Sequence, residues 1–140
     1  MSGVELHLPP HVQYVALARL VVTAAARQAG MSDERLEDLK IAVSEATANA
    51  IIAHASAESP EAVVLFFGAT GDGMFEVTIR DAGPGFDPGP AEADMDREWA
   101  SEGGLGVVLI RGLADDVQFV RGEGMKVHMR FGVGLNGTSH

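Results

Sequence analysis

The chain has 140 residues, no cysteine and a formal net charge of −10. The length fits one domain with a core of its own, while disulfides and thiolate metal sites are excluded. The acidic charge argues against direct nucleic-acid binding, because phosphate contacts need a basic surface, and an anionic nucleotide would depend on backbone N–H groups and a metal ion.

The first predicted elements are an edge strand and an apolar helix. Apolar and polar residues alternate over residues 4–8, which is the period of a strand with one buried face. An alanine-rich stretch over residues 12–29 predicts the first helix, and Gly30 suits its C-terminal cap. Neither this stretch nor any other is an apolar run long enough to span a bilayer, and the N-terminus lacks a signal-peptide pattern. We therefore expect a cytoplasmic protein without a membrane segment.

The second predicted helix runs from a cap at Ser32 to about residue 54. Its core stripe recurs at helical spacing: Leu36, Leu39, Val43, Ala46 and Ala50. Ile41, Ala48 and Ile52 form a second apolar strip, so we expect the opposite side of this helix to be covered as well. His54 is interpreted as a polar residue at the helix end.

The second half of the chain predicts two hairpins separated by an irregular segment and a helix. The predicted strands cover residues 62–68, 74–81, 117–121 and 125–131, with a turn at 70–73 and a helix over 105–114. Residues 82–102 show no regular strand, and an irregular segment of that length inside a compact domain indicates either an error in the assignment of elements or a functional lid, which we place at residues 86–102. These elements predict a two-layer α/β sandwich, in which helices cover one face of a mixed, mainly antiparallel sheet. We expect residues 1–131 to form the domain and residues 132–140 to form a disordered tail.

Asp81 ends the second of these strands on the same face as its apolar residues, so its carboxylate points toward the core side. It could cap the following turn, or it could accept a hydrogen bond from the exocyclic amine of a ligand. Gly83 and Gly85 favour the ligand, because glycine allows close backbone approach and positive φ.

Glu45 and Asn49 lie one turn apart on one flank of the second predicted helix. They could form a solvated polar flank, which is the usual role of such a pair. Their neighbours are apolar, however, and carboxylate and amide oxygens are ligands that Mg²⁺ prefers.

Two further features have both a structural and a functional interpretation. Gly104, Leu105 and Gly106 open the third predicted helix, where glycine is a poor helix former. They could be a flexible helix start, or they could let phosphate approach backbone N–H groups, although the Walker pattern is absent. Arg19 interrupts the apolar first helix, either as a snorkelling surface side chain or as a contact for a partner protein.

Together these segments resemble the ATP-binding family that includes gyrase B, histidine kinases and MutL. Within it, the chain is most similar to the small anti-sigma factor serine kinases of Gram-positive bacteria. The resembling stretches are IAVSEATANAII (41–52), VTIRDAGPG (77–85), and GGLGVVLI (103–110) with DVQ (116–118) after it. The resemblance covers nearly the whole chain and implies the Bergerat-type ATP-binding fold.

The resemblance also implies a role for each matching residue. Glu45 matches the general base that takes the proton from the substrate serine, and Asn49 matches the Mg²⁺ ligand. Asp81 matches the acceptor for the adenine amine. The other matches are the turn beside the adenine (Gly83, Gly85), the phosphate side (Gly104, Leu105, Gly106) and the partner-binding surface (Arg19).

The function implied by the resemblance is that of an ATP- and Mg²⁺-dependent serine/threonine kinase and anti-sigma factor. Such a protein binds and inhibits a sigma factor, phosphorylates an anti-anti-sigma protein of the STAS type, and forms a homodimer. An alternative is a binding module that uses ATP to shape a partner-sequestering surface without kinase activity. A third possibility, an ATP-binding domain from a histidine kinase, is disfavoured because no phosphoacceptor helical domain accompanies it and because the N-terminal strand and helix fit the anti-sigma kinases better.

Overall fold

In the described parts of the chain, five strands form one antiparallel sheet, and helices cover one of its faces. The computed structural model describes residues 3–56, 62–81, 104–122 and 124–134. The strands are β1 (Val4–Leu8), β2 (Val63–Ala69), β3 (Met74–Arg80), β4 (Asp116–Arg121) and β5 (Met125–Gly132). The helices are α1 (Val15–Gln28), which follows a 3₁₀ turn (Val12–Tyr14), α2 (Asp33–Ser56) and α3 (Gly104–Leu113). The sheet order is β1-β2-β3-β5-β4, and every neighbouring pair is antiparallel.

The alternating pattern of the strands separates an apolar face from a polar one. In the middle of the sheet, Val77 lies opposite Phe67 on one side and Met129 on the other, and all three side chains are buried. Burial of each such side chain stabilises the fold by about 1.5–3 kcal/mol. This face is therefore stable only when it is covered, and α1 and α2 cover it. The other face carries a polar network in which Glu76 binds Arg130 and Thr78 contacts His128. The prediction of a two-layer sandwich with helices on one face is therefore confirmed, and the described sheet is fully antiparallel.

Local signals fix how α1 and α2 are joined. Gly30 has φ of 96°, a left-handed conformation that suits glycine after a helix end. The Ser32 hydroxyl accepts a hydrogen bond from the Arg35 N–H at 3.2 Å, which is the N-cap contact that the sequence predicts. The chain therefore turns back sharply, and α2 packs along α1.

The structure differs from the sequence-based expectations at two places. The apolar strip on α2 is not covered, since Ile41 is 46% and Ile52 is 59% exposed. Strand β5 runs through Gly132, and Val133 then donates to Gly73 O and accepts from Ser32 N–H, so the ordered backbone continues beyond residue 131. His54 lies in the last turn of α2, as the sequence predicts, and its side chain is fully buried.

Two predicted segments lie outside the described residues: the lid at 86–102 and the end of the tail from 135 onward. Within the described ranges, none of the helices has both the length and the apolar character needed to cross a membrane.

Candidate active site

Glu45 and Asn49 of α2 meet the first turn of α3 at Gly106. A Cβ atom placed on Gly106 would lie 2.7 Å from Asn49 Nδ2 and 2.8 Å from Glu45 Oε2. The two polar side chains therefore lie directly against the backbone of α3. Two of the three segments on which the family resemblance rests are brought together by this contact.

The position of this pair follows from the amphipathic character of α2. Ala42 and Ala46 are buried in the core, whereas Glu45 and Asn49 are half-buried beside them. Gly106 itself is buried, in the turn of α3 whose N–H groups lack intrahelical partners. A carboxylate at this end of a helix interacts favourably with the helix dipole.

Asp81 is placed immediately after β3 with its side chain 8% exposed. Its backbone N–H donates to Met125 O at 3.0 Å, which continues the pairing of β3 with β5 by one residue. The period of two places its side chain on the helix-covered face with Ile79 and Val77. Asp81 is thus a buried carboxylate on the same face of the sheet that α2 covers.

Arg19 lies exposed on α1, and its Nη1 donates to Ser44 Oγ at 3.2 Å. Ser44 directly precedes Glu45, so Arg19 lies beside the α2 segment that carries the polar pair. Leu17 and Leu20 of α1 and Ile41 of α2 are also exposed, so the two helices joined by this contact both carry exposed apolar side chains. Sequence reasoning missed Ser44, because the contact joins residues 25 positions apart on different helices.

The remaining predicted site residues are not placed by the structure. Gly83 and Gly85 lie outside the described residues, and for Gly104 and Leu105 only the helical backbone is described. The roles assigned to them stay predictions.

A match to the histidine kinase-like ATPase domain covers residues 8–131, which include α2, β3 and α3. The chain belongs to this ATPase family. It is 36% identical over 133 residues to the serine-protein kinase RsbW of Bacillus cereus (strain AH187), covering 90% of this chain and 82% of that protein. The RsbW of Bacillus thuringiensis (strain Al Hakam) is 35% identical over the same shares of the two chains. The family resemblance predicted from the sequence is confirmed.

Solved structures show the same ATPase fold. The RsbU and RsbW domains of a Mycobacterium tuberculosis protein match with a TM-score of 0.69 and 16% identity, covering 94% of this chain and 32% of that one. The chain therefore spans about a third of that polypeptide. The SiaB–SiaC complex of Pseudomonas aeruginosa matches with a TM-score of 0.66 and 13% identity, covering 91% and 88%. At these identities the likeness concerns the fold alone.

The residues around Gly106 fit the magnesium ion that usually accompanies ATP in such ATPases. Mg²⁺ is commonly held by one or two protein oxygens together with substrate phosphates, rather than by an all-protein cage. Glu45 and Asn49 offer a carboxylate and an amide oxygen at one place, beside a helix start whose N–H groups suit phosphate. Within the described ranges, no three His, Cys, Asp or Glu side chains cluster to hold a metal without such help.

Proposed function

We propose that this protein is an ATP- and Mg²⁺-dependent serine/threonine kinase that acts as an anti-sigma factor. It would bind and inhibit a sigma factor and phosphorylate an anti-anti-sigma protein of the STAS type. The observation that carries this proposal is the convergence of Glu45 and Asn49 on the first turn of α3, in a chain of the ATPase family. The relatives named serine-protein kinases, which align with 90% of the chain, support a protein serine as the acceptor.

Phosphoryl transfer depends mainly on positioning and on neutralising charge. Glu45 would accept the proton of the substrate hydroxyl while the hydroxyl oxygen bonds to the γ-phosphorus of ATP. The bond between that phosphorus and the bridging oxygen breaks, and ADP leaves. Asn49 would hold Mg²⁺, which neutralises charge on the phosphate oxygens. The start of α3 would direct backbone N–H groups toward the phosphates.

Adenine would be selected by Asp81. A buried carboxylate accepts hydrogen bonds, so it pairs with the 6-amino group of adenine and repels the 6-oxo group of guanine. Binding of a base that leaves this buried carboxylate without a donor should be weaker by about 1–3 kcal/mol. We therefore expect a clear preference for ATP over GTP.

The test is the substitution Glu45→Ala, with Glu37→Ala as the control on the exposed side of the same helix. If Glu45 is the base, phosphorylation of the STAS-type protein should fall by about 10²- to 10⁴-fold. ATP affinity measured by calorimetry should change little. Unchanged phosphate transfer by Glu45→Ala would remove Glu45 from this role.

A second candidate function is a binding module that sequesters its partner without phosphorylating it. The exposed apolar side chains of α1 and α2 favour it, because they could bind a protein without depending on Glu45. If the wild-type protein transfers no phosphate but binds its partner differently with ATP and with ADP, the binding module is the correct function.

A further inference from the structure

We propose that Gly106 is a positioning residue for Glu45 and Asn49, because the space that a side chain would fill at this position is taken by their polar ends. This inference rests on the proposed roles of Glu45 and Asn49. It assigns to Gly106 a steric role that is separate from phosphate contact. The nearest atoms to a Cβ there would be Asn49 Nδ2 at 2.7 Å, Glu45 Oε2 at 2.8 Å and Glu45 Cδ at 3.5 Å.

The backbone conformation at Gly106 gives no reason for glycine. The described glycines with positive φ are Gly30, Gly71, Gly73 and Gly134, and Gly106 is not among them. Glycine inside a helix is also less favourable than alanine. What the described residues require at this position is space, and the atoms that occupy the space belong to the two α2 side chains.

A second glycine of α3 shows what the helix tolerates where nothing packs against it. A Cβ on Gly112 would meet no heavy atom of the described residues within 4 Å. Alanine should fit there without displacing anything. Gly112→Ala is therefore a matched control, since it makes the same chemical change in the same helix.

A methyl group at position 106 would displace side chains rather than helices. The two closest atoms are the far ends of flexible side chains, and contacts at 2.7 and 2.8 Å are shorter than a real Cβ contact allows. To reach an ordinary van der Waals distance from the new methyl group, each polar end must move by up to about 1 Å. A misplacement of that size in a catalytic group can lower the rate by about 10²-fold. The expected result is a folded protein whose Glu45 and Asn49 are misplaced.

The experiment compares Gly106→Ala with Gly112→Ala in the full chain. We expect both to melt at or above the wild-type temperature, because alanine is the better helix former. For Gly106→Ala, kcat for phosphorylation of the STAS-type protein should fall by about 10- to 100-fold, more Mg²⁺ should be needed for ATP binding, and KM for the protein substrate should stay unchanged. Gly112→Ala should match the wild type in all three measurements.

A spectroscopic measurement tests the same geometry without catalysis. The chain has two asparagines, Asn49 and Asn136, so the side-chain amide signal of Asn49 can be assigned with Asn49→Ala. Gly106→Ala should shift this signal in the ¹H–¹⁵N spectrum, whereas Gly112→Ala should leave it in place. An unshifted signal together with wild-type kcat in Gly106→Ala would overturn the proposal.

A double-mutant cycle then identifies the side chains through which Gly106 acts. With Glu45→Ala already present, adding Gly106→Ala should lower the rate by a smaller factor than it does in the wild-type background, because the displaced base is gone and only the displacement of Asn49 remains. Fully additive losses would overturn the proposal. If Gly106→Ala unfolds the protein, restoration of folding by Glu45→Ala or Asn49→Ala supports it, and failure of both contradicts it. If the wild type transfers no phosphate, the kinase function fails, and the Asn49 signal and the Mg²⁺ dependence still decide the role of Gly106.

Discussion

Asp81 is a charged residue type in a buried position. Its carboxylate is 8% exposed on an otherwise apolar strand face, and a buried charge is costly unless its oxygens receive hydrogen bonds. The 6-amino group of adenine could donate such a hydrogen bond to the Asp81 carboxylate. Asparagine has nearly the same shape as aspartate, so Asp81→Asn should preserve the packing. Its amide, however, can present an N–H donor to the adenine amine in place of an acceptor oxygen.

We predict that Asp81→Asn weakens ATP binding by about 1–3 kcal/mol while the fold is retained. The measurement is calorimetric titration with Mg·ATP, together with circular dichroism to confirm folding. Asp116→Asn, at an exposed position at the start of β4, is the control and should bind ATP as the wild type does. Equal affinities for Asp81→Asn and wild type would contradict the assignment of the adenine contact.

Helix α3 is held at both ends by residues of α2. At its N-terminal end it meets Glu45 and Asn49, while at its C-terminal end Arg35 Nη1 donates to Leu113 O at 3.2 Å. The same guanidinium binds Asp115 through Nη2 at 2.7 Å, and Asp115 Oδ2 accepts from Gly132 N–H at 2.6 Å. Arg35 therefore ties the start of α2 to the end of α3 and the end of β5, which fixes the helix that carries Gly106.

We predict that Arg35→Ala lowers the free energy of unfolding by about 2–3 kcal/mol, because several charge-assisted hydrogen bonds are lost from a side chain that is 21% exposed. Urea denaturation with an unchanged m-value is the measurement. Lys40→Ala removes an exposed pair with Glu37 on the same helix and should cost no more than about 0.5–1 kcal/mol. If both variants unfold at the same urea concentration, Arg35 is no more than a surface charge.

The sequence predicts the elements well because their periods follow from local chemistry. The caps at Gly30 and Ser32 and the alternation in β3 depend on residues close together in the chain. The contact at Gly106 and the network of Arg35 could not be predicted, because they join residues far apart in sequence. The prediction that Ile41 would be covered was wrong, since helical spacing identifies an apolar strip but does not distinguish a core contact from an exposed surface.

At the scale of the whole molecule, an exposed apolar surface contrasts with a strongly acidic chain. Leu17, Leu20, Ile41 and Ile52 are exposed apolar side chains of α1 and α2, the two helices joined by the Arg19–Ser44 contact; Leu20 is 66% exposed. Exposed apolar side chains mark protein-binding surfaces where they are contiguous. With a net charge of −10, the molecule repels acidic partners at long range, so an acidic group on a partner would be stabilised mainly by a local cation such as Arg19.

We predict that Arg19→Ala weakens binding of the sigma factor, the anti-anti-sigma protein or both by roughly 2 kcal/mol or more. Arginine can pair a carboxylate through two parallel hydrogen bonds, and surrounding apolar groups exclude water from such a pair. The hydrogen bond to Ser44 Oγ holds the guanidinium in place, so Ser44→Ala should weaken the same partner by a smaller amount.

The measurement is titration of each partner at saturating Mg·ATP, with ATP affinity and melting temperature recorded for every variant. Arg27→Ala is the matched control, since Arg27 is also exposed on α1 but lies in its last turn, two turns beyond Arg19. It should bind both partners as the wild type does, and none of these variants should change ATP affinity. Equal losses for Arg19→Ala and Arg27→Ala would reduce Arg19 to part of a general electrostatic effect. No loss for either would place the partner contact elsewhere on the molecule.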